Sequence, residues 1–223
     1  MPLNLTKPIL YLITGGRTTK ISTPESAEFQ NILELIAAAV DARIPLVQLR
    51  EKDLSARFLF DLTVRAAEIT RGTSTRLLVN DRADIAAAAG AAGVHLTTRS
   101  LEPKILRDAF GENFLIGSST HSLTEALAAR DGRADFAVFG PIFETESKAQ
   151  YGAPIGLDLL TEVATKLAPF PMVALGGISR QNAVECLRAG AIGIAGISLF
   201  SDASTLSETV DTILNHEQNK RRI

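Results

Sequence analysis

The chain contains one cysteine, Cys186, in 223 residues. That excludes an internal disulfide and any zinc site built from several thiolates, so the fold must rest on its core. Cys186 sits within a helical pattern and reads as a small packing residue. Charge of one sign is just as scarce: 23 Lys+Arg face 25 Asp+Glu, and no long basic run precedes Lys220-Arg221-Arg222. A nucleic-acid groove needs a concentrated basic face, so no nucleic-acid partner is expected. Long hydrophobic runs are also missing. Ile9-Leu10-Tyr11-Leu12-Ile13 is too short to span a bilayer and is not followed by a signal-peptide cleavage pattern. The expected setting is cytoplasmic, with no membrane partner. Neither a GxGxxG fingerprint nor a Walker A loop follows this first apolar run.

What the sequence does contain is an alternation. Short runs rich in Val, Ile, Leu and Phe are predicted as strands at Ile9–Thr14, Leu46–Leu49, Arg76–Val79, Gly93–Leu96, Phe114–Ser118, Phe136–Phe139, Met172–Leu175 and Gly193–Ile197. Helical spacing lies between them near Glu28–Asp41, Ser55–Thr70, Ala83–Ala89, Pro103–Ala109, Ser122–Arg130, Leu157–Ala168 and Arg180–Ala189, with a last helix near Leu206–Asn215. The strands are continuous apolar runs, as in a parallel sheet covered on both faces. Such βα units at this length predict a single-domain α/β fold over residues 1–223, a (β/α)8 TIM barrel, with a polar C-terminal tail from about 216. Periodicity alone leaves an open sheet possible. The longest connection, Gly140 to Gly156, is polar and suits an active-site loop.

Barrel enzymes collect their chemistry at the C-terminal ends of the strands. Gln48, Arg50 and Lys52 alternate after the second strand and can share one face; an amide, a guanidinium and an ammonium suit a polyphosphate. A surface ion pair among Arg50, Glu51 and Lys52 is the bland alternative. Asn80 and Asp81 follow the third strand, where Asp81 could bind Mg²⁺ or cap a helix. After the fifth strand, Ser119 could hydrogen-bond a ligand and His121 could transfer a proton; His95 is ambiguous and can point into the barrel. Thr145, Ser147 and Lys148 lie on the long loop. Gly177 and Ser198 follow the seventh and eighth strands, where glycine turns and helix N-termini commonly receive phosphate.

Taken together, Gln48-Leu49-Arg50-Glu51-Lys52, Asn80-Asp81-Arg82, Gly93-Val94-His95-Leu96, Ser119-Thr120-His121, the Gly140–Lys148 loop, Ala174-Leu175-Gly176-Gly177-Ile178 and the Gly193–Ser198 segment resemble the thiamin phosphate synthase/TenI superfamily. The resemblance runs from about Leu10 to Phe200. It implies a thiamine-biosynthesis transferase that couples a hydroxymethylpyrimidine diphosphate to a thiazole phosphate and releases pyrophosphate. Gln48, Arg50, Lys52, Asn80 and Lys148 would then hold the diphosphate, with Asp81 on Mg²⁺. Ser119, Thr145 and Ser147 would line the reacting partners, and Gly177 with Ser198 would hold the thiazole phosphate. One departure stands out: Ser100 occupies the place where synthases usually carry a second magnesium-binding Asp, with Arg99 beside it and Glu102 two residues on. It leans towards the TenI branch, which includes thiazole tautomerases that need no metal and for which His121 is the expected acid or base. A non-catalytic phosphate-binding regulator is a third reading. An epimerase is poorly supported by three scattered histidines. Small phosphorylated molecules are the expected partners, and homo-oligomerisation stays open.

Overall fold

The computed structural model describes residues 8–145 and 154–220, with backbone only for 216–220. Eight parallel strands close into a barrel in chain order: β1 (Ile9–Ile13), β2 (Leu46–Leu49), β3 (Arg76–Asn80), β4 (Gly93–Leu96), β5 (Leu115–Thr120), β6 (Phe136–Phe139), β7 (Met172–Leu175) and β8 (Gly193–Gly196). Closure is made by β1 against β8, where Ile9 pairs with Gly193 and Leu12 with Gly196. The helices are α1 (Ala27–Asp41), α2 (Ala56–Thr70), α3 (Ala83–Ala88), α4 (Pro103–Phe110), α5 (Leu123–Asp131), α6 (Gly156–Leu167), α7 (Ala183–Arg188) and α8 (Leu206–Lys220). The barrel expected from the sequence is thus the observed fold, and closure answers the open-sheet alternative.

Element ends moved where side-chain patterning is blind to backbone pairing. β3 and β5 run on to Asn80 and Thr120, because the neighbouring strands supply register partners: Asn80 pairs with His95 and Thr120 with Phe139. These extensions bring Asn80 and Ser119 from loops into the sheet, which fixes their direction. At the other end of the chain, α8 continues to Lys220 rather than stopping near Asn215.

The continuous apolar runs have a simple origin. In β1, Ile9, Tyr11 and Ile13 face the barrel interior with Leu46, Leu78, Phe136, Val138, Val173 and Ala195. Leu10 and Leu12 face outward into the larger core beneath the helices, with Phe29, Ile36, Val47 and Leu49. Both faces of the pleat are buried, so alternation between inside and outside leaves no polar trace. Cys186 belongs to this outer core; burial pushes its thiol up to about 12, which keeps it protonated and inert. No helix among the described residues is long and apolar enough to cross a membrane.

Gly117 in β5 is a packing requirement of the interior. A Cβ there would stand 2.7 Å from His95 Nδ1 and closer still to Phe136 Cζ, both fully enclosed groups. Gly117→Ala is expected to lower stability by about 1–3 kcal/mol, the usual range for overpacking a filled core. Urea denaturation measured beside wild type checks this, and an unchanged midpoint would show that the interior yields more easily than its packing implies.

Candidate active site

The C-terminal ends of β1 and β2 are joined by one buried carboxylate. Glu51, 3 % exposed, accepts hydrogen bonds from Thr14 Oγ1 at 2.6 Å, Gly16 N at 3.2 Å, Thr18 N at 3.2 Å and Thr18 Oγ1 at 2.7 Å. Thr14 Oγ1 in turn accepts from Arg50 N at 2.8 Å. Glu51 is therefore no member of a surface ion pair. It gathers the loop after β1 and fixes the backbone from which Arg50 and Lys52 project. Sequence reading had passed over its role, although Thr14 and Thr18 supply a set of hydroxyls that a buried carboxylate could use.

Around this anchor the rim is cationic. Lys52 is held below the usual lysine range, first by partial desolvation and then by repulsion from Arg50 and Arg99, with Asp81 and Asp53 opposing. Arg50, Lys52 and Arg99 make no salt bridge to a carboxylate of the described residues. Asp81 stands on the β3–α3 turn, within electrostatic reach of Lys52. Its φ of 62° is left-handed, a conformation Asp tolerates better than most residues. Its N–H donates to His95 O at 2.9 Å, and its carboxylate accepts from Ser100 Oγ. Ser100 is itself fixed by Thr97 N at 2.8 Å. The hydroxyl at the departure from the family pattern thus reaches the very carboxylate proposed for metal. Glu102 caps α4 through its backbone position and lies exposed.

Beneath the rim lies a ring of buried polar and aromatic groups. Gln48, 1 % exposed, donates from Nε2 to Tyr11 Oη at 2.8 Å. Burial raises the Tyr11 phenol far above its ordinary value, with the Gln48 bond opposing. Tyr11 meets Phe136 edge-on at 5.6 Å and His95 at 5.7 Å between centroids. His95 points inward, as one of its two readings had it, and its Nε2 lies 2.9 Å from Ser119 Oγ. Desolvation, and secondarily Arg50, lowers its pKa to about 3.

His121 stands past β5, where Ser122 caps α5 by accepting from Glu125 N at 3.2 Å. The Glu125 carboxylate reaches back to His121 N at 2.6 Å, one residue earlier than the reciprocal bond of a capping box. His121 Nδ1 bonds Gly140 O; a carbonyl only accepts, so Nδ1 carries the hydrogen, and in the neutral ring Nε2 is then the nitrogen with the free lone pair. Across the barrel, Gly177 turns with φ 64°, and a Cβ there would press on Phe143 Cβ at 2.7 Å. Phe143 N also donates to Gly176 O at 3.0 Å, so the root of the long loop is laid against this turn. Asn182 Nδ2 holds Gly177 O at 3.0 Å. Ser198 opens the 3₁₀ turn Ser198–Phe200 directly after β8.

Gln48, Arg50, Lys52, Asn80, Asp81, Ser119, His121, Gly177 and Ser198 all lie at or just past strand C-terminal ends. Thr145 is half-buried at the root of the long loop. Ser147 and Lys148 lie outside the described residues. A cavity of about 1020 Å³ opens at the opposite end of the barrel between Pro8, Arg43, Arg76 and Asp135 and holds none of these groups. Chemistry, rather than volume, marks the candidate site.

The family model described as thiamine monophosphate synthase matches residues 10–200. A protein from Geobacter sulfurreducens is 43 % identical over 85 % of this chain and 84 % of its own. A thiamine-phosphate synthase from Chlorobium phaeobacteroides is 38 % identical, covering 87 % of this chain and 89 % of its own. Among solved structures, a thiamine phosphate pyrophosphorylase from Pyrococcus furiosus superposes with a TM-score of 0.76 at 28 % identity, over 97 % of each chain.

Glu51→Ala leaves two hydroxyls and two N–H groups without their acceptor. It is expected to cost roughly 3 kcal/mol or more and to speed hydrogen exchange in the loop after β1, with Glu51→Gln recovering part of the loss. Acid should also act through His95. Its pKa is near 3 when folded against a model value of 6.5, so the unfolded chain binds the proton more readily. The stabilisation is full above about pH 6.5 and is lost as pH falls toward 3. Denaturation of His95→Gln between pH 7 and 4 should show a shallower decline than wild type; parallel curves would contradict this.

Proposed function

The chain belongs to the thiamine monophosphate synthase family, and we propose that it joins a hydroxymethylpyrimidine diphosphate to a thiazole phosphate, forming thiamine phosphate and pyrophosphate. The supporting observation is that one rim offers two separate places for anions. On the β2–β4 side stand Arg50, Lys52 and Arg99, none in a salt bridge with a described carboxylate, although Asp81 and Asp53 lie within electrostatic reach of Lys52. On the β7–β8 side stand the Gly176–Gly177 turn and the start of the Ser198–Phe200 turn. Two phosphorylated substrates meeting between them is the arrangement that a coupling reaction needs.

In this reading Gln48, Arg50, Lys52 and Asn80 hold the diphosphate, joined by Lys148 of the long loop. Gly177 and Ser198 receive the thiazole phosphate through N–H groups and the favourable end of a helical turn. Ser119, Thr145 and Ser147 orient the reacting rings. The bond from the pyrimidine methylene to the diphosphate oxygen breaks, and its electron pair leaves with pyrophosphate. The thiazole nitrogen lone pair then makes the new C–N bond. The protein contributes positioning and charge rather than a nucleophile.

The donor set around Asp81 fits Mg²⁺ of one kind. No group of three His, Cys, Asp or Glu among the described residues could hold a metal alone. Mg²⁺ commonly takes one or two carboxylates, keeps waters and completes its shell with substrate phosphate oxygens. Asp81, exposed and steered by Ser100, suits that role. Bound there, the ion supplies positive charge to the departing diphosphate.

His121 favours a second reading, a proton shift on a thiazole carboxylate phosphate. Its bond to Gly140 O leaves Nε2 able to take a proton.

Pure protein incubated with both substrates and Mg²⁺ should yield thiamine phosphate, identified by mass. Asp81→Ala and Arg50→Ala should each lower kcat by about 10²-fold, the scale of one lost electrostatic contact. Gly177→Ala should instead raise KM for the thiazole phosphate. Absence of product, with turnover of the thiazole carboxylate phosphate that His121→Gln abolishes, would overturn the synthase in favour of the proton shift.

A further inference from the structure

The inward pair of His95 and Ser119 is unusual for its depth. His95 is 3 % exposed and keeps its Nε2 at 2.9 Å from Ser119 Oγ. Its other ring nitrogen, Nδ1, is buried without any hydrogen-bond partner. That nitrogen faces the bare backbone of Gly117, which has no side chain to clash with it. The rings of Tyr11 and Phe136 lie at 5.7 Å and 6.1 Å from the imidazole. The fold has therefore enclosed a polar ring and left one of its two nitrogens unsatisfied, an arrangement that calls for a reason.

The two neutral tautomers differ in what they leave stranded. With hydrogen on Nδ1, a buried donor would point at glycine and aromatic carbon. With hydrogen on Nε2, the stranded group is an acceptor lone pair, which folded proteins tolerate more readily than an orphaned N–H. The second tautomer has a consequence for Ser119. Its oxygen already accepts from His95 and has no other hydrogen-bond partner among the described residues. Its own hydrogen is unspent, and the residue lies half-buried near the C-terminal end of β5, opposite Val138 of the interior cluster.

We propose that His95 is a positioning residue: by donating from Nε2 it obliges Ser119 to present its O–H outward as a donor to an acceptor atom of the pyrimidine substrate, such as a ring nitrogen. This rests on the synthase reading for the identity of the substrate, though not for the polarity of the pair. The lowered pKa of His95, about 3, agrees with a ring that stays neutral throughout the working range. The device selects a heteroaromatic ring with a lone pair at that point and disfavours one carrying N–H or C–H there.

Two measurements on the full chain decide it. The first is nitrogen NMR of protein labelled at its three histidines, with His95 assigned by difference against His95→Gln. The expected spectrum has hydrogen on Nε2, no titration from pH 5.5 to 8.5 by the approximate standard of a strongly buried ring, and a shifted Nε2 signal in Ser119→Ala. Hydrogen on Nδ1, or a signal indifferent to Ser119→Ala, would overturn the proposal. The second is a kinetic cycle. His95→Met should raise KM for the pyrimidine diphosphate about tenfold, as expected for one hydrogen bond, with KM for the thiazole phosphate unchanged. His95→Gln, which keeps a donor amide, should restore most of the loss. In a Ser119→Ala background, His95→Met should add nothing; an equal loss in both backgrounds would mean that His95 does not act through Ser119. If wild type makes no thiamine phosphate, the synthase reading fails while the NMR result still decides the polarity of the pair.

Discussion

A carboxylate taken out of water demands donors, and in this barrel the demand of Glu51 organises one side of the mouth. Its partners come from the first strand end and the loop that follows, through Thr14, Gly16 and Thr18. Satisfying one buried charge thereby fastens two strand ends together. The cations beside it then have a defined backbone to stand on. Arg50 follows a strand held on both sides, and its own N–H is tied to Thr14. Because Glu51 spends its charge on hydroxyls and amides, it forms no salt bridge with the neighbouring guanidinium and ammonium.

The remainder of the mouth is arranged by contrast. One side gathers positive side chains around a single carboxylate, and the other relies on backbone groups exposed at glycine. On the proposed reading, long cationic side chains would adapt to a flexible diphosphate, while a backbone turn would receive a compact phosphate without adding a charged side chain. Between the two, the interior ring of Tyr11, Gln48, His95 and Phe136 forms a floor with few polar atoms to spare. A flat aromatic substrate resting on it would meet mostly carbon.

The strand–helix alternation was legible because burial on both faces produces uninterrupted apolar runs, and the strand C-terminal ends could then be scanned for polar residues. Family resemblance named the chemistry that those residues suit. Less visible was anything set by partners distant in sequence. Asn80 and Ser119 read as loop residues until pairing with β4 and β6 drew them into strands. Glu51 received no role from the sequence, because its acceptor role depends on a loop 33 to 37 residues earlier. The direction of His95 required knowing that Gly117 lies beside it. Local pattern finds elements, whereas these roles arise from contacts that only closure creates.

The Gly176–Gly177 turn and the start of the Gly140–Gly156 connection interlock, since Cβ atoms at the glycines would strike Pro141, Phe143 and Glu144. The two segments consequently behave as a single heritable module. A designer transplanting the long loop from another barrel would have to carry both glycines with it, and a lineage altering either half would need a matching change in the other.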